Sequence, residues 1–167
     1  MNIVVDKLLK SDPAYIYAPV DGKMTALEDF ADPLFAEGVL GPGIVIEPEE
    51  GMIYAPFMGE VTSVSESKNA IGLKCFSGVE VLIHIGVDTV RMKGEGFQVI
   101  AEKGKKIRTG DVLITFDPEA ISEAGLVNSI VMVVPNAAKF DGIVMMSQLG
   151  ENVKHGERLM KIPSLDK

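Results

Sequence analysis

The side chains of this sequence best suited to nucleophilic or acid–base chemistry are its two histidines. His84 lies in an apolar run of residues 81–85, which ends at Gly86. In a strand with alternating faces, His84 shares its side with Leu82 and points away from Ile85. Partial dehydration there favours a neutral imidazole, which is a nucleophile when a fixed acceptor holds the proton of its other nitrogen. The alternative is a structural core histidine whose ring is satisfied by a backbone carbonyl.

Other kinds of reactive site find little support in the sequence. His155 lies in a polar segment, 153–157, and is predicted to be a solvated loop residue. The chain has no His-x-His, Cys-x-x-Cys or His-Glu-x-x-His pattern, and a catalytic zinc needs three protein ligands. The lone Cys75 excludes an internal disulfide, and residues 94–96 lack the third glycine of a phosphate-binding loop. We therefore expect no metal site and no bound cofactor, which also disfavours a barrel-shaped metallopeptidase.

The composition excludes further classes of protein. The 16 basic and 24 acidic residues give a formal net charge of −8, which makes binding to nucleic acid improbable. Hydrophobic residues make up 47% of the chain, too many for a disordered protein. No apolar run approaches the roughly 18 residues that span a bilayer, and residues 1–10 lack the features of a secretory signal. The composition predicts an acidic, soluble, cytoplasmic domain.

Short apolar runs bounded by glycine and proline must position these side chains. Such runs, rich in Val and Ile, favour strands. The predicted strands span residues 43–48, 59–64, 79–85, 112–116 and 129–134. Two short segments, 96–101 and 118–124, are the best helix candidates. The predicted fold is all-β, an antiparallel β-sandwich or barrel with short helical turns.

Two internal repeats indicate a duplicated sub-motif. The segment Tyr17-Ala18-Pro19-Val20-Asp21-Gly22 recurs at residues 54–59, an offset of 37. A Gly-x-x-apolar-x-x-Gly-acidic pattern at residues 104–111 recurs at 150–157, an offset of 46. This second pattern predicts a strand, a tight turn and a second strand. Two different offsets exclude a solenoid of fixed period.

A longer series of motifs resembles one known family. Residues 32–43 read DPLFAEGVLGPG, residues 69–73 read NAIGL, and residues 78–90 read GVEVLIHIGVDTV. KGEGF at 93–97 and VLITFD at 112–117 follow in order. This series resembles the glucose-type IIA domain of the phosphoenolpyruvate-dependent sugar phosphotransferase system, and the resemblance covers about residues 13–162. We expect an N-terminal segment at residues 1–12, which need not be ordered, and one IIA-like domain at 13–167.

The resemblance implies a phosphotransferase component that works only with partner proteins. A IIA domain accepts a phosphoryl group from phospho-HPr on a histidine and passes it to the IIB domain of a sugar permease. His84 matches that histidine, which attacks through Nε2 while Nδ1 is held by a glycine carbonyl, here that of Gly86. Regulatory proteins are a further class of partner, and contact with the membrane is indirect, through the permease.

One departure concerns the support of the phosphate site. The family has a second histidine at the position of Asn69, and Ser67 stands where the family often has threonine. A neutral amide binds a phosphoryl group more weakly than a charged imidazole does. An alternative follows, in which the chain is a regulatory IIA-like binding protein with impaired onward transfer.

The resemblance also implies a surface for partners around His84. Its apolar members are Leu34, Phe35, Val39, Leu40 and Val90. Asp32 and Asp88 match acidic positions that would receive a basic partner surface. Alternatives are core packing for the apolar residues and simple turn chemistry for Asp32.

Overall fold

The computed structural model describes residues 11–166. The predicted N-terminal segment, 1–12, thus lies outside the described residues except for Ser11 and Asp12. Within residues 11–166, no helix has the length and hydrophobicity needed to cross a membrane.

The described residues form a mostly β structure of short strands with a few short helices. The strands are β1 (Tyr15–Tyr17), β2 (Gly22–Thr25), β3 (Gly43–Pro48), β4 (Met52–Tyr54), β5 (Gly59–Val64), β6 (Ala70–Cys75), β7 (Glu80–Ile85), β8 (Phe97–Val99), β9 (Lys106–Ile107), β10 (Val112–Phe116), β11 (Ile130–Val133), β12 (Val144–Met145), β13 (Asn152–Val153) and β14 (Arg158–Lys161). The helices are α1 (Pro33–Ala36) and α2 (Pro118–Glu123), and 3₁₀ turns cover Leu27–Asp29, Thr89–Met92, Ala137–Phe140 and Pro163–Leu165.

The strands pair in three antiparallel sheets. The largest has eight strands in the order β13-β2-β3-β11-β7-β6-β5-β9. Two three-stranded sheets, β1-β14-β12 and β4-β10-β8, complete the described part of the chain. The predicted all-β antiparallel sandwich is confirmed.

The five predicted strands are present, but one predicted helix is wrong. Helix α2 lies within the predicted segment 118–124, where the Asp117 side chain accepts hydrogen bonds from the first turn. Residues 97–99 of the predicted helix 96–101 instead form β8, paired with β10. Gly96 has a φ of +84°, which breaks a helix there, and Phe97 is buried while Gln98 is exposed, as in a strand.

The two internal repeats are structurally equivalent and pair with each other. Residues 22–23 of β2 pair with β13, and at offsets of 37 and 46 residues 59–60 of β5 pair with β9. The same offsets relate the pair β1–β14 to the pair β4–β10, including a register shift at the same place. The amide of Tyr17 donates to the carbonyl of Pro56, and the amide of Tyr54 donates to that of Pro19. This reciprocal crossing relates the two motifs by an approximate two-fold axis.

The eight-stranded sheet separates two apolar clusters. The main core gathers buried side chains from Ile16 to Ile162. On the other face, Val45, Val131 and Val133 pack with two phenylalanines in a smaller cluster. In β7, Ile83 and Ile85 are fully buried in the main core, whereas Leu82 packs against the smaller cluster. His84 follows Leu82 by two residues and shares its face, as predicted.

Candidate active site

His84 is the second-to-last residue of β7, a central strand of the eight-stranded sheet. It pairs in register with Val131 of β11 and with Ala70 of β6. The ring is partly buried, and its centroid lies 5.4 Å from that of Phe35 at an interplanar angle of 52°. Because β7 is hydrogen-bonded to a strand on each side, the backbone that carries the imidazole is rigid.

A glycine turn holds one nitrogen of this ring. His84 Nδ1 lies 2.9 Å from the carbonyl oxygen of Gly86. A carbonyl can only accept, so Nδ1 carries the proton and the lone pair of the neutral ring is on Nε2. Gly86 has a φ of +74°, and a Cβ there would lie 2.4 Å from the carbonyl oxygen of Val127. Both features require glycine at this position.

The surroundings favour the neutral form of the imidazole. Burial lowers the pKa of His84 below its ordinary value, while the Gly86 carbonyl and the negative charge of Asp32 raise it by smaller amounts. Asp32 also caps helix α1, because its carboxylate accepts a hydrogen bond from the amide of Leu34 at 3.0 Å. Asp32 can therefore cap the turn before helix α1 and also act by its charge on His84.

The side-chain amide of Asn69 is buried and hydrogen-bonded to other residues of the protein. Asn69 is 4% exposed, its Nδ2 donates to the hydroxyl of Thr89 at 3.0 Å, and its Oδ1 accepts from the hydroxyl of Ser65 at 2.9 Å. Its backbone carbonyl accepts from the amide of Ile85, one residue beyond His84. Within residues 11–166 the amide makes no hydrogen bond to His84. A direct contact of Asn69 with a phosphoryl group stays a prediction.

Two predicted residues have different surroundings from those expected. Ser67 makes no side-chain hydrogen bond within the described residues, and the hydroxyl that orders this turn is that of Ser65, which also accepts from the amides of Asn69 and Ala70. Phe35 is 3% exposed, so it is not part of an exposed patch. Its ring is needed to close the smaller cluster, where it meets Phe30 edge to face.

The remaining predicted partner residues are accessible to different degrees. Leu34, Val39 and Val90 are 49%, 66% and 55% exposed, large values for aliphatic side chains. Asp88 is exposed in a left-handed conformation, and Leu40 is only partly buried against the smaller cluster. Docking of a partner on these residues stays a prediction.

His155 differs from the solvated residue that its polar segment predicted. Its backbone amide and its Nδ1 both lie 2.7 Å from Oδ1 of Asp21, which is buried. The ring stacks on that of Tyr54, with centroids 3.7 Å apart and an interplanar angle of 9°. The prediction failed because these partners are distant in sequence. In the described part of the chain, no group of three His, Cys, Asp or Glu side chains is arranged to hold a metal ion.

Comparison with solved structures defines the class of the fold. The glucose permease IIA from Mycoplasma capricolum superposes with a TM-score of 0.80 at 29% identity, covering 89% of this chain and 94% of that one. The class is thus the IIA-type β-sandwich.

Sequence comparisons give the family. The model of the phosphoenolpyruvate-dependent sugar phosphotransferase system, EIIA 1, matches residues 14–140. The glucose-specific EIIA component of Halalkalibacterium halodurans is 39% identical over 158 residues, covering 92% of this chain and 90% of that protein. A glucose-specific EIIBCA component of Corynebacterium glutamicum is 47% identical over 129 residues; these are 77% of this chain but 19% of that longer protein. The chain belongs to the EIIA 1 family of the phosphoenolpyruvate-dependent sugar phosphotransferase system.

The expected function and partners are therefore confirmed. The chain is a phosphocarrier that takes a phosphoryl group from phospho-HPr and passes it to the IIB domain of a sugar permease. The regulatory alternative is not needed to account for these relationships.

Proposed function

We propose that His84 carries the phosphoryl group, on Nε2. The observation that supports this is the 2.9 Å contact of His84 Nδ1 with the Gly86 carbonyl, because it leaves Nε2 as the nitrogen with the lone pair. The lowered pKa of the ring keeps that lone pair unprotonated at neutral pH. Within the described residues, His155 is the other histidine, and a buried carboxylate holds its ring.

The step is an in-line displacement between two imidazoles. The Nε2 lone pair of His84 attacks the phosphorus of phospho-HPr, and the electron pair of the breaking P–N bond returns to the donor imidazole. The proton on Nδ1 stays in its hydrogen bond to Gly86. Discharge is a second displacement, in which a nucleophile of IIB attacks the phosphorus and the electron pair of the breaking P–Nε2 bond returns to the His84 imidazole. No metal or cofactor supplies a charge in this scheme.

Residues 13–167 act as one phosphocarrier domain in this proposal, since the main core joins side chains from Ile16 to Ile162. The exposed side chains of Leu34, Val39 and Val90, together with Asp32 and Asp88, form the docking face for both partners. Relatives named for glucose and for mannose support a hexose permease as the acceptor. The cytoplasm is the proposed location, because phospho-HPr derives its phosphoryl group from phosphoenolpyruvate made there.

The test uses phosphoenolpyruvate, enzyme I and HPr with labelled phosphate. We expect an acid-labile label on the parent chain, no label on His84→Gln, and full label on the matched control His155→Gln. A labelled His84→Gln variant would refute the assignment. Adding a IIB domain then measures discharge, which must return the parent to its unlabelled form.

A further inference from the structure

Thr89 is a buried hydroxyl beside the His84 turn that the chemistry above does not use. It is 0% exposed and is one of four buried polar residues in the described part of the chain, the others being Asp21, Asn69 and Ser129. Buried polar groups are rare unless they are paired, and each needs a structural explanation. Thr89 bonds two groups, the amide of Asn69 and the carbonyl of Ile85.

The donor and the acceptor of every side-chain hydrogen bond in this network are determined by its partners. The Ile85 carbonyl can only accept, so the single proton of the Thr89 hydroxyl points to it. The Thr89 oxygen must then accept from Asn69, which orients the amide with Nδ2 toward Thr89 and Oδ1 toward Ser65. The Ser65 hydroxyl donates to that Oδ1, and its lone pairs face two backbone amides. Removal of one donor therefore leaves other buried groups unpaired.

The same network holds one end of the turn that carries the Gly86 carbonyl. Thr89 fixes the carbonyl of Ile85, immediately before Gly86, and a Cβ on Gly86 would lie 2.5 Å from the Thr89 methyl group. From the other side, the Gly86 amide donates to the carbonyl of Ser129 at 2.8 Å. The position of the Gly86 carbonyl, which accepts from His84 Nδ1, is thus fixed on one side by Thr89 and on the other by Ser129.

We propose that Thr89, held in place by Asn69 and Ser65, is a positioning residue for phosphoryl transfer. It fixes the 85–89 turn, so that the Gly86 carbonyl keeps the proton on Nδ1 of His84 and directs Nε2 outward. The inference rests on the proposed role of His84. In this role Asn69 supplies a donor to Thr89 and an acceptor to Ser65, each in a fixed place. A neutral imidazole at this position would supply both only in one of its two tautomers.

The decisive pair of variants is Thr89→Val and Thr89→Ser. Valine keeps the shape of threonine without the hydroxyl, whereas serine keeps the hydroxyl without the methyl group. We expect Thr89→Val to slow single-turnover uptake from phospho-HPr by about 10- to 100-fold, because a small misplacement of a reacting atom has costs of this order. Thr89→Ser retains a rate within about 3-fold of the parent. Thr115→Val, in β10, is the matched control and leaves uptake unchanged.

A spectroscopic readout separates positioning from mere stability. The ¹⁵N shifts of His84 report which ring nitrogen carries the proton. The parent and Thr89→Ser give the signal of the Nδ1-protonated ring, and Thr89→Val gives a mixture of the two tautomers. A Thr89→Val chain with both the parent's uptake rate and its single tautomer overturns the inference, while the labelling of the parent and not of His84→Gln still supports the role of His84.

A second variant, Asn69→Asp, tests the same proposal if Thr89→Val does not fold. Asn69→Asp keeps size and the acceptor facing Ser65 but loses the donor that faces Thr89. It slows uptake by about 10-fold or more and mixes the tautomers, whereas the same change at an exposed position outside the site, Asn152→Asp in β13, leaves both unchanged. A parental rate and tautomer in a folded Asn69→Asp chain contradicts the proposal.

Discussion

The two histidines differ in the group that holds the same ring nitrogen. In His84, Nδ1 lies 2.9 Å from a neutral carbonyl, that of Gly86, beside an apolar ring. In His155, Nδ1 lies 2.7 Å from the carboxylate of Asp21, and Tyr54 stacks on the ring. The Gly86 carbonyl, in apolar surroundings, fixes the tautomer of His84 and leaves a lone pair on Nε2, whereas the buried Asp21 carboxylate ties His155 to a segment distant in sequence. The group that holds Nδ1 and the surroundings of the ring, more than the presence of a histidine, distinguish the ring that we propose as the nucleophile.

The surroundings reinforce this difference. Desolvation raises the pKa of Asp21. The hydrogen bonds and charge of His155, together with the charge of Lys154, outweigh this effect, so the pKa of Asp21 is lowered overall. Nearby, the carboxylate of Glu49 lies 3.6 Å from the ammonium of Lys154, so these two opposite charges are paired. His155 therefore has a structural role, joining the turn at 154–157 to the start of β2.

The largest expected effect comes from the glycine that supplies the neutral carbonyl. Gly86→Ala places a methyl group 2.4 Å from the Val127 carbonyl oxygen and forces an L side chain into a φ of +74°. Displacement of the turn lowers the phosphoryl uptake rate by about 100-fold or more. The measurement is single-turnover labelling, with Gly104→Ala as the control for a left-handed glycine in open space. Equal loss in both variants would show that strain alone is responsible.

The second prediction neutralises the carboxylate that holds His155. Asp21→Asn keeps an acceptor but loses its charge, and the free energy of unfolding falls by about 1–2 kcal/mol at pH 7. The folded pKa of Asp21 is lowered, so its stabilisation is present above the unfolded value and is lost as pH falls through the folded pKa.

Urea unfolding at pH 7 and at pH 3 measures this difference. The gap between parent and variant narrows at pH 3, and the exposed control Glu66→Gln shows no gap at either pH. Phosphoryl uptake by Asp21→Asn stays at the parental rate; a large loss of uptake would contradict the separation of the two histidines.

The smallest prediction concerns Asp32, the one charged side chain within residues 11–166 that shifts the pKa of His84. Asp32→Asn keeps the cap on helix α1, because asparagine also accepts from the Leu34 amide. Loss of the negative charge moves the pKa of His84 further down, so the acid limb of the uptake rate shifts to lower pH. An NMR titration of His84 measures the shift, with Asp29→Asn as the control. An upward shift would show that Asp32 acts mainly through the position of the helix.

Local sequence was sufficient for much of the fold and for the reactive ring. Alternation in residues 81–85 placed His84 on the face of Leu82, and the repeats at offsets of 37 and 46 predicted the duplicated hairpins. The resemblance to IIA domains predicted the contact of His84 with Gly86, two residues away. Each of these features depends on short-range periodicity or on a turn.

Features that join distant segments could not be predicted in this way. Phe35 lies in a glycine-rich stretch that resembles a surface loop, and only its contact with β3 and β11 makes it core. Asp21 and His155 are 134 residues apart, so the polar segment around His155 gave no sign of a partner. The network of Ser65, Asn69 and Thr89 needs two turns brought together by β6 and β7, and no sequence pattern marks that junction.

The crossing of the two motifs has a consequence for synthesis of the chain. Strand β2 is paired on one edge by β3, but its other edge waits for β13, which begins at Asn152. At roughly 5–20 residues per second on the ribosome, that edge stays open for about 6–25 s after β2 emerges. The nascent chain therefore exposes unpaired backbone until β13 is released, and the eight-stranded sheet is completed only after that strand emerges.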